Sequence, residues 1–163
     1  MKTTKTILLI TMVLMTSGSC TTESKKQINT SKTETMEKQA KQEIEKLLMD
    51  YKETLNTSNA EKATSLYSKD GIFMPSGAPS AIGKEQIRGA YDFVFSQIQL
   101  TIEFYIDEIT VENSFAYAVT SSRGSTLIHA TGKTVPEENR ELFVFEKENE
   151  IWKIARYMFN KTK

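Results

Sequence analysis

At Leu100 the spacing of apolar residues changes from three or four to two, and that switch limits the folds open to this chain. Before it, Met36, Ala40, Ile44, Leu47, Leu48, Tyr51 and Leu55 form a single helical stripe. Asn56 to Asn59 interrupts the stripe. Ser58, three positions before Glu61, makes a capping-box pattern that opens a short helix through Ala63, Leu66 and Tyr67. A third helix fits Lys84 to Ile98, with Ile87, Ala90, Tyr91, Val94, Phe95 and Ile98 on one side and Gly83 as its cap. Beyond Leu100, Ile102, Phe104 and Ile106 alternate with polar residues, and Ile109 and Val111 resume on the opposite parity. That slip predicts a β-bulge at Asp107–Glu108. Phe115, Tyr117, Val119, Leu127 and His129 share a parity, and "ELFVFEK" joins "IWKIARYMF" through the short turn "ENE". Helices followed by strands predict an α+β cone, with three N-terminal helices packed on a strongly bent antiparallel β-sheet.

Between the second and third helices lies "DGIFMPSGAPSAIGKEQI", Asp70 to Ile87, which holds two of the three prolines and three of the seven glycines. Such a segment reads as a short strand followed by a bend.

Lys+Arg and Asp+Glu both number 21, so no net charge draws the chain to nucleic acid. One cysteine and one histidine leave neither a disulfide framework within the chain nor a Cys/His zinc cluster, and no cofactor is implied. At the start, Lys2 and Lys5 precede a largely apolar run, Ile7 to Met15, too short to span about 30 Å of hydrocarbon. Small residues then lead to Cys20. The arrangement resembles a bacterial lipoprotein signal, although Ser17 stands where leucine is usual; a plain secretory signal is the alternative. The division expected is a signal peptide over 1–19, a lipidated Cys20 with a polar tether over 20–35, and one domain over 36–163. The mature chain would then be lipid-anchored in the cell envelope, at the outer membrane or periplasmic face.

The stretches "LYSKDGIFMPSGAPSAIGKEQIRGAY" and "EIWKIARYMFN", in this order of elements, resemble the nuclear transport factor 2-like superfamily in its ketosteroid isomerase and SnoaL-like branch. The resemblance covers about Met36 to Asn160. It implies that the bend crosses the mouth of the cone, with Phe73 and Met74 at or near a cavity, or else in ordinary core. It also implies a tyrosine donor at Tyr51 and a second acid near Glu141. The proton-abstracting carboxylate of that branch falls at Pro75, where none exists, leaving Asp70 or Glu141 as substitutes. The catalytic candidates are therefore Tyr51 and Glu141, and Tyr51 reads equally as a stripe aromatic with its hydroxyl at the rim.

Arg156 shares strand parity with Trp152, Ile154 and Met158, which predicts an inward arginine paired with Glu141 or with an anionic ligand. Arg123 faces inward by the same rule unless a bulge at Gly124 turns it out. His129 is either a solvated strand-end residue or a general base. Leu47, Phe73, Met74 and Val119 would supply apolar walls, with Tyr51 and Arg156 as polar contacts. Three functions stay open: a binder of a small, largely apolar molecule, an acid/base enzyme, and an interaction module. Apolar residues on both faces of "LFVF" point to a homodimer formed through the sheet.

Overall fold

The computed structural model describes residues 22–162, so the leader and Cys20 lie outside the described residues. The first helix, α1, runs Thr22–Asn56. It therefore begins inside the segment expected to be a polar tether. No glycine or proline interrupts residues 22–35, so nothing in the sequence breaks the helix there. The chain divides into two units, 1–34 and 35–163, and the second holds most of α1 and every later element.

Within that second unit the α1 stripe is buried from Ala40 through Leu55, whereas Met36 is 60% exposed, a turn too early to reach the core. The short helix α2 (Ala60–Ser65) is capped by Asn59, whose side chain accepts from the Lys62 N–H. The expected capping residue, Ser58, instead takes a positive φ of 52° in the turn and donates to Gln99 Oε1. Tyr67 leaves the helix and opens strand β1 (Tyr67–Met74). The bend then returns as β2 (Ala81–Ile82), with Phe73 opposite Ala81, and Gly77 takes the left-handed φ of 74° that the turn requires. Helix α3 (Gly83–Gln97) comes next, burying Ile87, Tyr91 and Phe95.

Four long strands complete the unit: β3 (Ile98–Glu112), β4 (Phe115–Ile128), β5 (Lys133–Glu148) and β6 (Ile151–Lys161). The sheet order is β2-β1-β6-β5-β4-β3. All neighbours are antiparallel except β1 and β6, which run parallel, so the sheet is mixed rather than antiparallel throughout. The β3 bulge falls at Asp107, between Ile106 and Glu108, as the change of apolar parity predicts. The β5–β6 hairpin turns on Asn149 and Glu150, both at positive φ, as a two-residue turn demands.

Two parities differ from expectation. On β4 the inward residues are Ala116, Ala118, Thr120 and Ser122, while Phe115, Tyr117 and Leu127 are exposed. The large inward rings come from other elements, Phe104 on β3, Phe143 and Phe145 on β5, and β4 supplies the small residues that make room for them. On β6 the register shifts opposite Val144 and Phe145, leaving Ala155 as an extra residue. Trp152 and Ile154 face inward before it, Tyr157 after it. Arg156 and Met158 consequently face outward.

Candidate functional site

The inward aromatics form one cluster. Tyr51 meets Phe143 and Tyr157 edge-on, at ring centroid distances of 5.5 and 5.2 Å, and Phe143 stacks on Tyr157 at 4.2 Å. Phe73 stacks on Tyr91 at 4.9 Å and on Tyr157 at 5.6 Å. Against this cluster lies a cavity of about 300 Å³, within the range of small-molecule sites. Its apolar wall includes Leu55, Phe73, Val94, Leu100 and Phe159. Pro75, Ser76, Ala78 and Pro79 from the β1–β2 bend also line it, so the crowded prolines and glycines shape one side of a hollow. Phe93, 68% exposed, stands on the same lining from α3.

Three tyrosine hydroxyls form a chain in this cluster. Tyr91 Oη lies 2.5 Å from Tyr51 Oη and 2.8 Å from Tyr67 Oη. All three side chains are buried, and burial first, then their mutual proximity, pushes each phenol well above its ordinary range. They stay protonated at neutral pH. Tyr51 is therefore fully buried rather than placed with its hydroxyl at a solvated rim.

The opposite wall is polar. Glu137, Asn139 and Glu141 are successive inward positions of β5, exposed by only 5, 6 and 5%. Glu141 accepts from Thr120 Oγ1 at 2.5 Å and from the Ser122 hydroxyl. Burial raises its carboxyl above the ordinary value, outweighing those hydrogen bonds, and Asp107 adds like charge in the same direction. Glu137 goes the other way. Burial would raise it, but hydrogen bonds from Thr126, Lys161 and Asn139 together outweigh that and hold it lower. The Lys161 ammonium sits 3.0 Å from Glu137 Oε2 and supplies its counter-charge. Two carboxyls on one wall are thus pushed apart in acidity, a pattern that separates acid from base in a site.

Of the residues singled out from sequence, Tyr51, Phe73 and Glu141 come together at the cavity. The others do not. Leu47 is buried but lines a separate hollow near Trp152. Val119 is on the outer face, paired with Leu142, and Met74 pairs with outward Met158. Arg156 is exposed and donates to the carbonyls of Asp70 and Ala155, not to Glu141. The β6 bulge at Ala155 is the physical reason for this correction.

Arg123 faces out beside Glu138 and over the Tyr105 ring, with no register shift at Gly124 to explain it. Asp70 is exposed, and His129 is exposed with Nδ1 3.0 Å from the Ser96 carbonyl. That carbonyl can only accept, so Nδ1 carries the proton. Glu137 and Asn139 are not among the residues singled out from sequence, although their parity with Phe143 and Phe145 marks them as inward. Among the described residues no cluster of His, Cys, Asp and Glu could hold a metal.

The same architecture recurs in known proteins. Residues 44–159 match the family model described as a SnoaL-like domain. No curated protein gives a significant match. Among solved structures, a ketosteroid isomerase-like protein from Erwinia carotovora atroseptica SCRI1043 is 27% identical, with a TM-score of 0.71. The similarity covers 74% of this chain and 94% of that one. A nuclear transport factor 2-like superfamily protein from Salmonella enterica serovar Typhimurium LT2 is 20% identical over 77% of this chain and 93% of its own, with a TM-score of 0.69. A hexachlorocyclohexane dehydrochlorinase shares the fold at 11% identity and a TM-score of 0.67, over 76% of this chain and 86% of its own. With 116 consecutive positions matched and the α+β architecture in place, the chain belongs to the SnoaL-like domain family, on the nuclear transport factor 2-like fold.

Proposed function

We propose that this domain binds a small, largely apolar molecule inside the cone. One observation carries the reading: an aromatic-walled cavity of about 300 Å³ with polar groups gathered on one wall. Most of a fold's core is filled by its own side chains, so a hollow of this size amid well-packed rings is a feature to be explained. Filling it provides the test. Ala90→Phe places a ring into the space from α3, where Ala90 is half-buried on the lining. In a thermal-shift and calorimetric screen of fused-ring aromatic probes, ligands of the wild type should bind this variant at least about tenfold more weakly. The unliganded melting temperature should hold or rise. Equal binding by both proteins, or no ligand for the wild type, would end the proposal.

The acid/base-enzyme alternative draws on the same groups, with tyrosine hydroxyls and Glu141 able to donate to a carbonyl oxygen. A proton acceptor at the bend is what it lacks, since Pro75 lines the cavity there and Asp70 is exposed. Steroid-type isomerisation by that route therefore lacks its base at the bend, the cavity carboxyls Glu137 and Glu141 lying on β5 instead, and binding is the better-supported function.

Two further parts of the reading concern where the domain works. Cys20 after a short apolar run suits lipidation, which would hold the mature chain at a bacterial envelope membrane. Cys20→Ser should then move the protein from the membrane fraction to the soluble one, and unchanged membrane association would refute it. On the outer sheet face, Tyr117 pairs with Val144, Val119 with Leu142, and Leu142 with Met158, a continuous apolar patch. A second copy of the same twisted sheet would cover it. Leu142→Asp should convert a dimer to monomer in sedimentation, and a wild type that sediments as a monomer would exclude this.

A further inference from the structure

We propose that the ligand of this cavity is a small organic cation, an ammonium group carried on an apolar, ring-bearing body. The inference rests on the reading that the cavity binds a ligand, and it names that ligand's chemical class.

The polar wall is rich in acceptors and short of positive charge. Glu137 is already matched by Lys161, at 3.0 Å, and also accepts from Thr126 and Asn139. Glu141 has hydroxyl donors only, and among the described residues no cation pairs with it. Between them stands Asn139. Its Nδ2 donates to Glu137 Oε1 at 3.1 Å and to Ser122 Oγ at 3.3 Å. A carboxylate oxygen can only accept, so this pairing fixes which way the amide is turned. The Asn139 Oδ1 is left as a buried acceptor with no protein partner. An unmatched buried acceptor and a buried carboxyl without a counter-ion both carry a desolvation cost that a donor of positive charge would recover. Tyr51, Phe73, Tyr91 and Tyr157 line the same space and supply the contact surface for a ring-bearing body. A carboxylate ligand would meet like charge here, and a ketone or ether would offer neither group a proton.

The charge state of Glu141 gives the inference a pH signature. The groups acting on it are the Thr120 and Ser122 hydroxyls of β4, Asp107 of β3 and Tyr157 of β6; Tyr51 of α1, Tyr91 of α3, Glu137 on its own strand and Lys161, engaged by Glu137, line the same cavity. The tyrosines remain neutral, burial raises the Glu141 carboxyl above its ordinary value and Glu137 is held lower, so Glu141 takes up a proton before Glu137 as the pH falls. A cation needs its ionised form, and binding should weaken as the carboxylate is protonated.

Three isosteric probes test this by calorimetry and ligand-observed NMR: 2-(aminomethyl)naphthalene, 2-naphthalenemethanol and 2-naphthoate. At about pH 7.5 the amine, then protonated, should bind the wild type at least about tenfold more tightly than the alcohol, and the naphthoate least. Lowering the pH stepwise should reduce the amine-to-alcohol ratio as Glu141 takes up its proton, while alcohol binding stays constant. Glu141→Gln should bring that ratio close to one at about pH 7.5. Should that variant fail to fold, the wild-type pH series decides alone. An alcohol that binds as tightly as the amine, a tighter naphthoate or a pH-independent ratio overturns the cation assignment and leaves the cavity reading standing. Failure of all three probes to bind overturns both.

Discussion

Gly124→Ala is expected to destabilise the domain by about 3 kcal/mol or more, from the addition of one methyl group. A Cβ at Gly124 would lie 2.0 Å from the Thr101 carbonyl oxygen and 2.8 Å from the Ile102 Cα. Both are backbone atoms of β3, so no side-chain rotation relieves the clash. Gly124 pairs with Ile102 on one side and Glu137 on the other. The glycine is needed because β3 occupies the space of its side chain, a close backbone approach rather than a bulge. Its conformation calls for no positive φ, so the whole effect should come from crowding. Gly89→Ala is the control. It lies exposed within α3, a Cβ there would meet nothing within 4 Å, and the change should stabilise by about 0.5–1 kcal/mol. Denaturant unfolding of both variants checks the pair. A loss below about 1 kcal/mol for Gly124→Ala would mean that β3 can shift without cost.

Similar reasoning explains which features could be read in the sequence. The bulge at Asp107 was legible because Ile106 and Ile109 break a period-two pattern with a step of three. Ile154 and Tyr157 make the same step on β6, but Met158 offers an equally apolar continuation on the unbroken parity. Apolar spacing thereby carries Arg156 to the wrong face. The inner face of β4 was illegible for another reason. Its inward residues are alanines, threonines and serines, chosen to fit beneath Phe104, Phe143 and Phe145, while larger apolar residues cover the outside. Hydrophobic pattern identifies faces only when the large residues are on the buried one. Tyr51 and Glu141 are placed at the site by resemblance to a family. Glu137 and Asn139 have no counterpart in that resemblance, and recognising them requires following the parity of Phe143 and Phe145 back along β5. The hydroxyl chain was beyond reach, since Tyr51, Tyr67 and Tyr91 come from three separate elements that only the fold brings together.

That chain gives the second large effect: Tyr91→Phe should cost about 2 kcal/mol, roughly twice as much as Tyr67→Phe. Tyr91 is the central member, bonded to both Tyr51 and Tyr67, and its side chain is 1% exposed. Removing its oxygen deprives two buried hydroxyls of a partner, whereas removing the Tyr67 oxygen deprives one. Ring packing survives in either variant, because the stacking of residue 91 on Phe73 and Phe95 does not use the hydroxyl. Burial area is nearly unchanged, so hydrogen bonding is isolated from the hydrophobic contribution. The two substitutions should not add. Once Tyr91 is Phe, the bond it made to Tyr67 cannot be lost a second time, and the double variant should be less destabilised than the sum by about 0.5–1 kcal/mol. Additive losses in a double-mutant cycle would show that the hydroxyls act independently. The coupling matters for the cavity, because Tyr51 is both an end of the chain and part of the lining. Tyr51 also hydrogen-bonds Tyr157, so the network continues from Tyr67 and Tyr91 along the cavity wall, and loosening it at Tyr91 should be felt at the lining.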